Sequence, residues 1–490
     1  MGARYLVATA MASTLLAPAS SAQGVRSLDP RYVAEAQRQH AELVAEFGGA
    51  ETGPRGAYVE SVGRRVTAYT GIANSSAAFH FTTLNSAVEN AFAVPGGYVY
   101  ITRQLMALMD DESQLAFALG HEVGHVAANH AQQRQSAASR NSILGVLGAI
   151  LGSVVGNNAF GNVISQGAQQ AAQFSTLRFS RQQEYDADTL GIRYLAAAGY
   201  DPLGSSGVLS ALTRSSALEA RIQGRDSRQT PEWASTHPLS ANRAQQAQAL
   251  AQRTGRAGTG MRNRDQFLAQ LNGVYVDDDP AQGVIEGRTF THPDLRIQFA
   301  VPPGYLMQNS SDAVSIKGSA GQAQFSGGRF NGTIDQYVYR VIQQLTGGQV
   351  QIAVPPPQRT VINGLPSAFT TARANTSSGV IDVSVVAYQW DANTIYHFVM
   401  LTRGGTGVGP FTPMVDSIRR ISGNEAAAIR PKVINVVSVR PGDTVNSLAG
   451  RMAYRDFQLD RFLSLNGLAA GSRLVPGQKV KLVVYGARRS

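Results

Sequence analysis

The 490-residue chain contains no cysteine, two tryptophans, 8 histidines and only four lysines, at positions 317, 432, 479 and 481. Without cysteine it has neither a disulfide framework nor a site for lipid attachment through sulfur. Without lysine-rich tracts it lacks the footprint of a nucleic-acid site. The formal net charge of +10 comes mainly from arginines scattered along the chain, which implies a mildly cationic surface and no nucleic-acid partner. Charged residues are 16% and hydrophobic residues 43% of the total, ordinary values for globular material, and the length predicts two or three domains.

Long apolar runs are also scarce. The N-terminal stretch MGARYLVATAMASTLLAPASSAQG has one positive charge at Arg4, a short apolar run and small residues at Ser20 and Ala22. It reads as a secretory signal peptide, residues 1–22, cut near Ala22, because the run is shorter than the ~20 residues needed to span a bilayer. Residues 141–177 carry no charge and include SILGVLGAILGSVVG. As a helix, that ~15-residue apolar core would measure about 22 Å, short of a ~30 Å hydrocarbon slab. Glycines at 145, 148, 152 and 156 form a small-residue stripe suited to close packing. Two readings stay open for this segment: a buried or site-covering hairpin, and a membrane-contacting surface.

Against this background the stretch ALGHEVGHVAANH, residues 118–130, concentrates three of the 8 histidines and a glutamate within ten residues. Acidic residues Asp110, Asp111 and Glu112 stand where a helix N-terminus favours them, and a proline-free helical run extends from Ser113 through Gln133. At roughly 100° per residue His121 and His125 share a face, and His130 falls about 180° from His121. The first two can therefore bind one metal ion, and His130 is excluded from it. Glu122 lies about 60° from His125. This is the HExxH arrangement, in which two imidazoles bind zinc and the carboxylate polarises a zinc-bound water and carries its proton.

A catalytic zinc needs a third protein ligand and one open position. Six residues after His125 stands Ala131, which cannot serve. The later segment FSRQQEYDADTLGIRYLAAAG is helical in pattern, with Gly199 as its C-terminal stop. Glu184 and Asp188 are four apart on one face, as in the ExxxD pattern that completes His2Glu sites, in which Glu184 would be the third ligand and Asp188 the acceptor that fixes the tautomer of a liganding histidine; taken alone, the pair is equally a solvated helix face. Asp186 points elsewhere.

GHEVGHVAANH, then SRQQEYDAD, then STHPLSANR resemble the zinc endopeptidase family of the CAAX prenyl proteases and the related bacterial periplasmic and heat-shock metalloproteases, over about residues 27–275. The resemblance implies a mainly α, zincin-like metalloprotease domain with a small sheet, spanning residues 23–275. It implies one Zn2+ per chain on His121, His125 and Glu184, with Glu122 as general base. It also assigns His237 and Arg243 as donors to the oxyanion or to the zinc site, where a developing negative charge needs a positioned cation. The segment NAFAVPGGYVYITRQL places the turn Pro95-Gly96-Gly97 between two short strands. It too resembles the family, in which such a strand lies beside the active-site helix. Ala91, Phe92 and Ala93 are candidates for an edge that holds an extended peptide by main-chain hydrogen bonds. An ordinary core hairpin is the alternative.

The helical region ends in ANRAQQAQALAQRTGRAGTGMRNRD, which reads as a connection or mobile loop. Alternating runs such as DLRIQFAVP and VIDVSVVAYQW follow, interrupted by one amphipathic helix, TIDQYVYRVIQQL. They predict an α+β domain over residues 281–425, weakly similar to PsbP-like modules, with no catalytic cluster: His292 and His397 are isolated. The C-terminal residues 434–484, with VVSVRPGDTVNSLAGRM and SRLVPGQKVKLVV, resemble the LysM βααβ module. That family binds N-acetylglucosamine-containing glycans such as peptidoglycan. The resemblance maps its binding loops to Gly442 to Asn446, with Gly442, Asp443 and Thr444, and to Leu474 to Gly477, with Pro476; a small domain that only caps its neighbour is the alternative. The usual Tyr-Thr-Val entry is replaced by Val437-Ser438-Val439.

The expected function is thus an exported zinc endopeptidase of a Gram-negative periplasm that acts on envelope proteins. Candidate partners are protein or peptide substrates, peptidoglycan, and a membrane surface or outer-membrane proteins. The competing expectation is a wall-binding scaffold or chaperone whose zinc site is structural or weakly active.

Overall fold

The computed structural model describes residues 26–133, 179–223, 237, 242–346, 353–376 and 379–489. The expected signal peptide and the glycine-rich segment 141–177 lie outside the described residues. No helix among those described is long and apolar enough to cross a membrane.

The first region is helical around a small sheet. Helices α1 (Pro30–Glu46), α2 (Pro54–Thr67) and α3 (Ser75–Ala78) precede strands β1 (His80–Leu84), β2 (Ala91–Val94) and β3 (Tyr98–Thr102). β3 is the middle strand, parallel to β1 and antiparallel to β2, so β2 is an edge. Helices α4 (Arg103–Leu108), α5 (Glu112–Ala127), α6 (Arg181–Ala197), α7 (Gly204–Ile222), α8 (Arg243–Arg253) and α9 (Arg264–Leu271) follow.

Every residue of α5 is buried, as expected of a helix enclosed on all sides. It packs against α2, α6, α7 and the sheet. Asp111 is its N-cap, with Oδ1 accepting from the Gln114 N–H at 3.2 Å. Glu112 is anchored by the hydroxyls of Tyr58 and Tyr200 and by the Asn263 amide. The helix is shorter than the run to Gln133 suggested. It ends at Ala127, and Asn129 adopts a left-handed conformation (φ 55°) before the chain resumes at His130. Asparagine tolerates that conformation, so no glycine or proline is needed to break the helix.

α5 and α6 cross at glycines. A Cβ on Gly191 would lie 3.0 Å from the His121 backbone N, and one on Gly124 would lie 3.2 Å from the Ala187 carbonyl oxygen. The missing side chains let the two backbones approach. α6 opens with a capping box between Ser180 and Gln183 and closes at Gly199 (φ 84°). The tract after residue 241, expected to be loop, instead forms α8. Arg243, Ala247 and Ala251 are buried along one face of it, and two alanines four apart are enough to seat a helix against α6 and α7.

Beyond β4 (Tyr275–Val276) the chain is β-rich. A four-stranded sheet comprises β5 (Val284–Glu286), β6 (Thr289–His292), β7 (Ile297–Ala300) and the later β15 (Arg419–Arg420). A seven-stranded antiparallel sheet runs in the order β11-β12-β13-β14-β10-β9-β8, built from β8 (Leu306–Asn309), β9 (Ala313–Gly318), β10 (Gly321–Arg329), β11 (Gln358–Ile362), β12 (Leu365–Thr376), β13 (Gly379–Asp391) and β14 (Thr394–Arg403). Helix α10 (Ile334–Thr346) lies on one face of this sheet, seating Val338, Val341 and Ile342 on Val385, Ala387 and Val399. Phe290, Phe299, Phe325 and Phe398 fill the space between the two sheets. Residues 381–388 are consequently buried on both faces, which explains their nearly continuous apolar sequence. His397 is buried under α10, where it contacts the Tyr337 hydroxyl at 2.8 Å, and burial lowers its pKa to about 4.

After the short helices α11 (Thr412–Ser417) and α12 (Gly423–Ala428), the C-terminal unit runs β16 (Lys432–Ser438), α13 (Val445–Ala449), α14 (Gln458–Asn466) and β17 (Lys479–Tyr485). This βααβ unit is not free-standing. β4, from the end of the helical region, pairs with β16 as its third strand. One apolar cluster runs from Val59 and Leu115 in the helical region to Leu448, Phe462 and Leu482 in the C-terminal unit.

Candidate metal centre

α5 carries His121 and His125 one turn apart, and α6 brings Glu184 across the glycine crossing. The Nε2 atoms of the two histidines lie 3.1 Å apart. Glu184 Oε2 is 3.5 Å from His121 Nε2, and its Oε1 is 3.6 Å from His125 Nε2. His237 enters from a third direction, with Nδ1 3.4 Å from His121 Nε2 and 2.9 Å from Glu184 Oε1. All four side chains are buried, and each offers a donor atom within 4.8 Å of the others. Ligands ~2.0 Å from a tetrahedral ion lie about 3.3 Å apart. The quoted separations of 2.9–3.6 Å lie near that spacing, and the imidazole nitrogens and carboxylate are zinc-type donors.

Around these donors sits a second set of groups. His121 Nδ1 is 2.9 Å from Asp188 Oδ1, the orienting contact expected of Asp188. Arg243, the first residue of α8, grips Asp188 through Nε and Nη2, both at 2.8 Å, and reaches Glu184 Oε2 through Nη1 at 2.8 Å. Its guanidinium is thus committed to the two carboxylates. Glu122 Oε1 lies 3.6 Å from His237 Nε2. Asp186 faces away and accepts from the Gln182 amide.

Burial opposes charge on His121, but its hydrogen bonds to the Asp188 and Glu184 carboxylates outweigh it and carry its pKa up to about 9. His125, buried and beside His121, is held well below the usual imidazole value. Burial also works against the Glu184 carboxylate, yet His237, His121 and Arg243 hold its pKa well below normal. Burial pushes Glu122 upward, the direction that suits a proton acceptor working near neutrality.

An apolar recess opens against His121 and Glu122, lined by Ala91, Phe117, Ala118, Val208, Leu209 and Leu212. Of the expected edge residues, Ala91 faces this recess. Phe92 points to the other face of the sheet, where its ring packs against Phe47 and Tyr100, and Ala93 is half-buried. Phe92 can therefore offer only its main chain to anything beside β2. Two contacts were not foreseen from the sequence. His130 Nδ1 is 2.9 Å from His125 Nδ1, and the Phe179 ring stacks on His125 at 3.8 Å. The asparagine before His130 was the available signal for the first; nothing in the sequence marks the second.

At the C-terminal unit, Thr444 caps α13 through the Ser447 N–H and Asp443 accepts from the Arg440 N–H. Gly442, Thr444, Val475 and Pro476 are exposed, on loops that remain open although the unit is docked elsewhere.

Residues 54–251 match Peptidase family M48, and residues 437–483 match the LysM domain. The chain carries an M48 peptidase domain and a LysM domain. The M48 domain is similar to the Beta-barrel assembly-enhancing protease of Escherichia coli (strain K12), 33% identical over 198 residues, or 40% of this chain and 38% of that one. The corresponding Yersinia pestis protein is 32% identical over 228 residues, 45% of this chain and 44% of that one. The mitochondrial metalloendopeptidase OMA1 of Saccharomyces cerevisiae is 30% identical over 200 residues, 41% of this chain and 49% of that one. The chain thus spans less than half the length of each of these relatives. A solved PsbP from Synechocystis sp. PCC 6803 covers 27% of this chain and 91% of its own at 12% identity, with a TM-score of 0.24, too low to bear on the β-rich region.

Proposed function

We propose that the chain is a zinc-dependent endopeptidase that cleaves envelope proteins in a Gram-negative periplasm, with its LysM domain holding it near peptidoglycan. The observation that carries the reading is the convergence of His121, His125, Glu184 and His237 at tetrahedral spacing beside a buried Glu122. Zinc held there would acidify water and polarise a peptide carbonyl. Glu122 accepts the proton of the attacking water and returns it to the leaving amine. Ala91 and the apolar recess wall the site beside His121 and Glu122, while the β2 edge holds the extended main chain of the substrate. Arg243 neutralises Glu184 and Asp188, and Asp188 keeps the proton on His121 Nδ1 so that Nε2 faces the metal.

His237 would supply a fourth protein donor, in the position that a catalytic zinc site leaves for water. In the proposed cycle it withdraws for turnover, leaving its imidazole near Glu122 and the reacting carbonyl. Four protein donors are also what a structural zinc displays, which is the specific support for the second reading, a wall-binding scaffold or chaperone. Zinc content and cleavage of casein or an unfolded protein, compared between the natural chain and Glu122→Gln, separate the two. The endopeptidase reading expects one zinc in both and a 10²- to 10⁴-fold loss of cleavage in the variant, with ~10³ typical of a lost general base. Equal cleavage would reject the assignment of Glu122. Zinc bound with no cleavage of any substrate by the natural chain would favour the scaffold. Cosedimentation of full-length Glu122→Gln with insoluble peptidoglycan, competed by N-acetylglucosamine oligomers, tests the LysM role.

A further inference from the structure

His130 stands outside the four-donor cluster, yet it touches it at one atom. His125 directs Nε2 toward His121 and Glu184, and its Nδ1 is 2.9 Å from His130 Nδ1. Both rings are buried. The carbonyl of His130 accepts from the Gln183 amide of α6 at 3.3 Å, so the helix that presents Glu184 also fixes the backbone of His130. Phe179 lies flat on the His125 ring, its centroid 3.8 Å away, which opposes turning of that ring about χ2.

Two facing Nδ1 atoms allow only one proton between them. If His125 gives its Nε2 lone pair to a metal, its Nδ1 carries hydrogen, and His130 Nδ1 must accept, with its own hydrogen on Nε2. We propose that His130 is a positioning residue that fixes the tautomer and ring plane of His125 as a metal ligand, by accepting from Nδ1–H with a neutral imidazole. The inference rests on the metal-site reading above. It makes the two liganding histidines unequal: His121 leans on the Asp188 carboxylate, which draws more electron density onto its Nε2, and His125 leans on an uncharged ring. Asn129 is what makes this possible, since a continuous helix would carry His130 to the opposite side.

The test uses the full-length protein and zinc itself. His130→Asn places an amide oxygen close to where Nδ1 stands, whereas His130→Gln places its polar atoms near the Nε2 position and His130→Phe keeps the ring without an acceptor. Zinc affinity is measured by competition with a chromophoric chelator, and ligand geometry by the visible spectrum of the cobalt-substituted protein. We expect zinc binding about 10- to 100-fold weaker in the Phe and Gln variants, a shifted cobalt spectrum in both, and near-natural values in the Asn variant. Natural affinity in His130→Phe, or equal losses in Asn and Gln, would overturn the assignment. Should Phe fail to fold, the Asn and Gln pair still decides. If the natural chain bound no zinc, the metal-site reading itself would fall, an outcome distinct from a zinc-binding chain indifferent to residue 130.

Discussion

Arg243 holds two carboxylates at once in a place where none of the three side chains meets water. Removing one partner of such a group leaves charge without compensation, so the network is required once it exists even if its net contribution to stability is small. The same physics gives the opposite outcome at Asp278. Its carboxylate accepts from the Ile285 N–H at 2.8 Å, but burial, with Asp277 adding to it, raises its pKa to about 6. A carboxyl whose folded pKa exceeds its unfolded value stabilises the fold fully below about pH 4, and that stability is lost as pH rises through 6. Asp278→Asn, which stays neutral and can still accept from Ile285, should therefore raise the thermal midpoint at pH 7.5, with the gain shrinking toward pH 4. Melting curves across that range check it; a gain independent of pH would contradict the assignment. At this scale the pairs His121/His125 and Glu184/Asp188 can be expected from spacing, because side chains four apart on a helix share a face, whereas the role of Glu122 comes from the HExxH pattern and that of Glu184 and Asp188 from the ExxxD pattern. His237 and Arg243 were legible only through resemblance, since a histidine before a proline and an arginine in a glutamine-rich tract carry no local signal.

Between elements, the α5–α6 crossing sets the distance on which the site depends. Gly191 sits against the backbone of His121, so even a methyl group there must push the helices apart by a few tenths of an ångström. Gly191→Ala should keep the helical content, yet weaken zinc binding more than its small effect on helix propensity would suggest. Circular dichroism paired with the chelator competition measures both, and unchanged affinity would show that the crossing has slack. The misjudged elements have a common cause. Local propensity favours a helical run to Gln133 and a loop around Arg243, whereas contacts from other elements decide both: Gln183 holds the chain at His130, and α6 and α7 receive the alanine face of α8.

Across the whole molecule, three of the four lysines bridge the LysM unit to the rest. Lys432 pairs with Asp277 at 3.2 Å, Lys479 with Asp265 at 3.0 Å, and Lys481 with Asp110 at 3.2 Å. Lys481 is fully buried, and its Nζ also donates to the carbonyls of Ala107 and Met109, where α4 ends and the turn into α5 begins. A cation at a helix C-terminus complements the carbonyl dipoles. The C-terminal unit thus supports the entry to the helix that carries His121 and His125. Lys481→Met should destabilise the M48 domain by roughly 3 kcal/mol, since Asp110 and two carbonyls lose their partner. Chain ended near residue 430 should lose the M48 domain's cooperative unfolding, because the shared apolar cluster would be open to water. Denaturant unfolding followed at the two domains would show one transition in the natural chain; two separable transitions would mean that the docking contributes little.

The order of the chain determined which residues pair on the faces of the two helices, His121 with His125 and Glu184 with Asp188, and the separate β-rich texture, because each follows from periodicities of 3.6 or 2 read over neighbouring residues. Only the tertiary structure decided that His237 comes within 2.9 Å of Glu184, that His130 returns to touch His125, that Phe92 turns away from the recess, and that the C-terminal unit shares the apolar core of the helical region. Those facts depend on contacts between residues tens to hundreds of positions apart, or on a single left-handed residue whose consequence appears only when the following turn is packed.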